Sequence, residues 1–334
     1  MKKFLKIIST ILTVTIIIYL VGPRPEKPTY NSTLPTLPSS STDLETYVKK
    51  LDAGHKIKPG NGAEIVWTDS SKKKTKIVVL YLHGFSASHE EGSPIHREFA
   101  KRFGANLYLA RLYGHGIDTT DALADFTAEK YWESAKDAYA VAKQLGDEVI
   151  IMSTSTGGTL ALKLAATYPE IKALINFSPN IAINDPAAFI TNNPWGLQIT
   201  RLVMGGNYRT SKVDTAEAAK YWYYTYRCEA IPALEELIET SMTKDTFEKV
   251  KCPVLTVYYY KDEQHQDQTV KVSAMKTMND ELGTPANRKE MVPIPNAANH
   301  VIANPLKSKD VKSVENACIA FAENVLKLDP LAKK

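Results

Sequence analysis

Residues 150–159, Ile-Ile-Met-Ser-Thr-Ser-Thr-Gly-Gly-Thr, carry an apolar run into a cluster of serines and glycines. A nucleophilic serine held on a sharp strand-to-helix turn usually shows G-x-S-x-G, because only small residues fit two positions to either side. Here Ser153 replaces the first glycine and Gly157 supplies the second. A buried strand would precede Ser155 and a helix, Gly-Thr-Leu-Ala-Leu-Lys-Leu-Ala, would follow it. Ser155 is therefore the candidate nucleophile. Ser153 suits the role less well, since its own flanking positions are Ile151 and Ser155.

Acyl transfer by a serine needs donors aimed at a developing oxyanion, a base, and an acid that orients the base. Residues 78–88 read as a strand that ends in His83-Gly84-Phe85-Ser86. The backbone N–H of Phe85 and that of Thr156, directly after the nucleophile, are the expected oxyanion donors. His83 reads as part of the loop's structure. His300, in a small-residue loop before the last helix, is the candidate base; His265 is the other histidine after Ser155. Two carboxylates follow the apolar run at 254–260. Strand length favours Asp262, and the pattern Asp-x-x-Val before a helix favours Asp267. Both stay open at this stage. The chemistry calls for no metal and no cofactor, and His89 and His96 fit a polar loop and helix surface better than a metal site.

These groups must be positioned by a common scaffold. Strand-like runs lie at 63–67, 77–82, 106–110, 149–152, 173–177, 254–260 and 291–294. Runs as apolar as Ile77–Leu82 fit strands covered on both faces. Helical patterns intervene at 127–145, 158–167, about 268–282 and about 309–327. The alternation predicts an α/β domain with a mostly parallel sheet flanked by helices. Between the strands at 173–177 and 254–260 lie roughly seventy residues, too many for a structureless loop in a compact domain. They read as a helical cap at about 184–250, with two further sheet-covering helices as the alternative. Trp195, Trp222 and Tyr223 in this stretch are candidates to line an apolar substrate pocket.

The chain has 334 residues, three cysteines and a formal net charge of +4. That charge gives no reason to expect a nucleic-acid partner. Cys228, Cys252 and Cys318 are far apart and read as buried small apolar residues. Lys2, Lys3 and Lys6 precede an apolar run from about Ile7 to Val21 that ends without an A-x-A-like site. Residues 1–22 are expected to be an uncleaved membrane anchor, with a cleaved signal as the alternative. The catalytic domain would then stand on the extracytoplasmic side of a single-pass protein, or be secreted. Residues 23–46, rich in proline, serine and threonine, are expected to be an extended tether. The folded domain would span 47–334.

The serine, the carboxylates and the histidine occur in the chain order of the α/β-hydrolase superfamily, which this sequence resembles. It looks most like bacterial carboxylesterases and monoacylglycerol lipases, whose His-Gly-Phe loop precedes a segment of the form seen in Ala110-Arg-Leu-Tyr-Gly-His-Gly-Ile-Asp118. The similarity spans about 60 to 328. It implies a small-molecule or lipid ester as substrate, an acyl-enzyme on Ser155, and a structural role for His115. A peptidase, an amidase or an acyltransferase on the same fold are alternatives, as is a binding protein without catalysis.

Overall fold

The computed structural model describes residues 1–331. Helix α1 (Lys2–Leu20) comes first, then α2 (Ser41–Asp52), strands β1 (Glu64–Val66) and β2 (Thr75–Leu82), α3 (Ile95–Arg102) and β3 (Asn106–Leu109). Helix α4 (Ala128–Leu145), β4 (Gly146–Thr154), α5 (Thr156–Thr167) and β5 (Ala173–Phe177) form the centre. After a long excursion the chain returns as β8 (Val254–Tyr258), α10 (Val272–Glu281), β9 (Lys289–Pro293) and α11 (Val311–Asn324).

The excursion contains α6 (Gly196–Met204), β6 (Tyr208–Thr210), α7 (Ala218–Tyr221), β7 (Thr225–Arg227), α8 (Ala230–Ser241) and α9 (Lys244–Lys249).

Seven strands form one sheet in the order β1-β3-β2-β4-β5-β8-β9. Only β1 is antiparallel to its neighbour; the other pairs in this sheet run parallel. Side chains alternate between the faces of a strand. Along β2, Val78, Leu80 and Leu82 join the core under α4, α5 and α10, whereas Ile77, Val79 and Tyr81 join the core under α3 and α11. Both faces are therefore apolar, which is why the run at 77–82 shows no polar alternation. The expected α/β architecture is the one observed, and every expected strand lies in this sheet.

The excursion differs from a purely helical reading. Tyr208–Thr210 and Thr225–Arg227 pair as an antiparallel hairpin, and the helix in this aromatic stretch stops after four residues. Thr225 and Tyr226 carry β-branched and aromatic side chains, which favour a pleated strand. Helix α8 packs on α4 and α5 and buries Ala233, Leu234, Leu237 and Ile238 in the core on that side.

Helix α1 has no buried residue. Residues 23–40 form no helix or strand, but they lie along the domain. The Trp132 indole N–H donates to Asn31 O at 2.8 Å, and the Tyr168 hydroxyl donates to Ser32 O at 2.7 Å. Tyr30, Leu34 and Leu37 pack on the core. Proline keeps this segment extended, while those three apolar side chains give it a surface to dock. Helix α2 starts inside the stretch expected as tether, with Ser40 accepting the Asp43 N–H as its N-cap.

Candidate active site

Strand β4 delivers Ser155 to the carboxyl rim of the sheet, as the N-cap residue of α5. Its backbone adopts φ 53° and ψ −121°, a left-handed-side conformation that costs a non-glycine residue about 1–3 kcal/mol. The turn is held by the Ser155 N–H donating to Phe177 O at 2.9 Å, and by Ser155 O accepting from the Gly158 and Asn180 N–H groups. A side chain at Gly157 would collide with the Leu82 carbonyl, so this position must be glycine for α5 to approach β2. Ser153 meets no such obstacle. It pairs in register with Asn176 on β5, and its hydroxyl donates to Asn176 Oδ1 at 2.8 Å in a fully buried setting. A serine is accommodated there because the neighbouring strand supplies its acceptor. The sequence alone did not single out Asn176.

The loops after β8 and β9 emerge at the same rim, because these strands run parallel to β4 through β5. His300 Nδ1 donates to Asp267 Oδ2 at 2.7 Å. A carboxylate only accepts, so this contact puts the proton on Nδ1 and leaves Nε2 as the basic nitrogen. The Asp267 side chain is fully buried, and its Oδ1 accepts the N–H groups of Thr269 and Val270 at 2.8 and 3.1 Å. Burial pushes its pKa up, but the charge and hydrogen bond of His300 and those two N–H groups outweigh it and leave the pKa below the usual value. For His300, burial pulls the pKa down. The Asp267 charge and hydrogen bond, with a further contribution from Glu91, leave it above the ordinary histidine value.

Asp262 is engaged elsewhere. Its Oδ1 accepts from His265 Nδ1 at 2.8 Å, and half of its side chain is exposed. The two carboxylates that the sequence left open thus have different histidine partners.

The loop after β2 is braced by two buried histidines. His83 Nδ1 donates to Gly84 O, and its Nε2 accepts the Leu112 N–H. His115 Nδ1 donates to Tyr113 O, and its Nε2 accepts the Ser86 N–H. Burial pulls both pKa values down, that of His115 to about 4, so both rings are neutral braces. His89 and His96 donate to Gly62 O and His89 O. No hydrogen bond engages the Phe85 N–H among the described residues, and Thr156 is the first residue of α5, where helical N–H groups have no intrahelical partner.

The three aromatic candidates have different surroundings. Trp222 packs with Ala218 on Ala87, in the loop after β2, and on Val301, beside His300. Tyr223 N–H donates to Ser86 O, and its hydroxyl bonds both the N–H and the carbonyl of Ile117, so it straps the 110–118 segment to the excursion between β5 and β8. Trp195 stands at the end of α1 instead. Its indole N–H donates to Ile18 O at 2.9 Å, and its backbone N–H to Pro23 O at 2.8 Å.

Residues 73–268 match the family described as serine aminopeptidase, S33. This chain belongs to that family. The hydrolase is 26% identical over 205 residues to the thermostable monoacylglycerol lipase of Bacillus sp. (strain H-257), covering 61% of this chain and 76% of that protein. Its fold is shared by a structure from the metagenome-derived lipolytic enzymes LipS and LipT, with a TM-score of 0.59, 20% identity, and coverage of 80% of this chain and 98% of the other. The monoacylglycerol lipase of Paleococcus ferrophilus has a TM-score of 0.56 at 14% identity, covering 78% and 96% of the two chains. The hydrolase is thus an α/β-hydrolase resembling carboxylesterases and monoacylglycerol lipases.

Proposed function

We propose that this protein hydrolyses carboxylic esters through an acyl-enzyme on Ser155. His300 Nε2 takes the Ser155 hydroxyl proton as Oγ attacks the acyl carbon. The same proton then goes to the leaving alkoxide, and water repeats the sequence to release the acid. Asp267 holds the imidazole in its tautomer, and the Phe85 and Thr156 N–H groups receive the oxyanion. The observation that carries this reading is the His300–Asp267 hydrogen bond at the rim where the strained Ser155 turn also ends. The monoacylglycerol lipase relative supports an ester of a lipid-like acid. A panel of p-nitrophenyl esters of rising chain length tests it: turnover lost in Ser155→Ala supports the reading, and no turnover of any ester by folded wild type contradicts it.

The family description favours a second reading, cleavage of an aminoacyl amide on the same residues. Aminoacyl p-nitroanilides that turn over faster than the esters would establish it.

The N-terminal helix is read as a membrane anchor with the catalytic domain outside. Its apolar side chains are exposed along its whole length. Trp195 bonds to its end, and Leu202 and Val203, on the helix that follows Trp195 in the chain, are 81% and 73% exposed. Indole rings and exposed apolar side chains at the foot of a span suit a bilayer interface.

A further inference from the structure

We propose that Glu91 is a positioning residue of the same site, fixing the oxyanion loop through the Gly84 N–H and acting by its charge on His300 as a second acid beside Asp267. This rests on the serine-hydrolase reading.

Glu91 lies in the short 3-10 turn His89–Gly92 and is 3% exposed. Its Oε2 accepts the Gly84 N–H at 2.7 Å. Gly84 directly precedes Phe85, so this bond sets the peptide that presents the Phe85 N–H. The gap is narrow: a Cβ on Gly84 would stand 2.9 Å from Glu91 Oε2 and 2.9 Å from Ser155 Cβ. Only glycine fits between the carboxylate and the serine. The turn is also tied to the histidine loop, since Asn304 Nδ2 donates to Glu90 O at 2.7 Å.

A buried carboxylate without a full ion pair is costly, so its surroundings matter. His300 and Lys307 face Glu91 with positive charge. The Tyr81 and Tyr131 phenols, both neutral, lie within its field, and Glu90 acts on Tyr81 as well. The buried Trp222 indole N–H has no well-formed partner and is turned toward the carboxylate. Lys307 itself is held by Asp214 and the Tyr224 hydroxyl of the cap. Burial pushes the Glu91 pKa up to about 7, against the pull of Gly84, His300, Trp222 and Lys307. The charge of Glu91 and that of His300 are therefore coupled, each favouring the other. Anionic Glu91 favours the imidazolium and raises the His300 pKa; neutral Glu91 releases it.

The test is the rate of fluorophosphonate labelling of Ser155 from about pH 5 to about pH 9 in the full chain. Glu91→Gln keeps an acceptor for Gly84 and removes the charge. Its acid limb should move to lower pH, by about half a unit or more, and become steeper as one coupled group is lost. Glu91→Ala removes the acceptor as well, and labelling at the optimum should fall by about tenfold or more. If the alanine variant does not fold, the glutamine variant alone decides. Limbs identical in wild type and Glu91→Gln would overturn this inference while leaving the hydrolase reading intact. Absence of labelling in wild type would overturn both.

Discussion

His300 and Asp267, thirty-three positions apart in the chain, meet at 2.7 Å, whereas Asp262 turns back onto His265 three residues away. This difference separates two carboxylates that the sequence treats alike. Asp267→Asn should fold and lower kcat by roughly 10³–10⁴, because the amide no longer fixes the Nδ1–H tautomer. Asp262→Asn should stay within about twofold of wild type, as expected for an exposed pair. Ester turnover by the two purified variants checks this.

The same contact fixes the pH dependence. The proposed mechanism needs a neutral His300 Nε2, and the His300 pKa lies above the ordinary 6.5 because Asp267 outweighs burial. Turnover should therefore fall as pH drops through that raised value. In Asp267→Asn the acid limb should move to lower pH. Stability follows the opposite signs of the two shifts. The His300 contribution is complete below its unfolded pKa and is lost as pH rises through the raised folded one. The Asp267 contribution is complete above 3.8 and is lost as pH falls through the lowered folded one. Thermal melts of wild type and Asp267→Asn should differ most between these limits.

Ser153 should be a structural residue. Ser153→Ala leaves Asn176 Oδ1 buried without its donor, beside an Nδ2 that already has no partner. The cost should be about 1–3 kcal/mol, seen as a lower Tm or denaturation midpoint, with Ser155 labelling retained. Loss of labelling in a folded Ser153→Ala protein would mean that Ser153 itself bears the nucleophile.

Gly157→Ala should be far more harmful than its size suggests. Its Cβ meets the backbone of Leu82 and His83, which cannot yield without separating α5 from the sheet. Soluble yield and labelling should both collapse, whereas alanine at Gly205, with open space around it but a positive φ, should cost only about 1 kcal/mol.

The anchor reading predicts that the full chain stays with membranes after an alkaline carbonate wash and is released by detergent. Protease added to the outer face should digest the domain in intact cells. Recovery in the soluble fraction with the N-terminal residues missing would establish cleavage instead.

The sheet was legible because strands covered on both faces are apolar nearly throughout, as Ile77–Leu82 is. The Ser155 turn was legible because its needs are local: a strand before, a helix after, and small neighbours. What the sequence withheld depends on paths through space. The choice between Asp262 and Asp267 turns on a tight loop in which Asp262 accepts the Gln264 and His265 N–H groups and directs Asp267 inward. The partner of Ser153 depends on the register of β4 with β5. The hairpin at 208–227 hid in an aromatic run whose pattern also suits helices. Glu91 sat in His-Glu-Glu-Gly, which reads as a polar loop; a pair of acids in the same loop as His83-Gly84-Phe85-Ser86 was the one available signal, and its burial appears only when the loop is folded. Trp195 looked like pocket lining by composition, and its place depends on where α1 ends.

The central claim is that Ser155 is the nucleophile that His300 activates. Treat the full chain with a fluorophosphonate and identify the adduct by mass spectrometry of the peptide spanning 150–159. A single adduct on Ser155, absent in Ser155→Ala and strongly slowed in His300→Ala with the fold intact, is the expected result. A folded wild-type protein that carries no adduct, or carries it on another residue, would contradict the account.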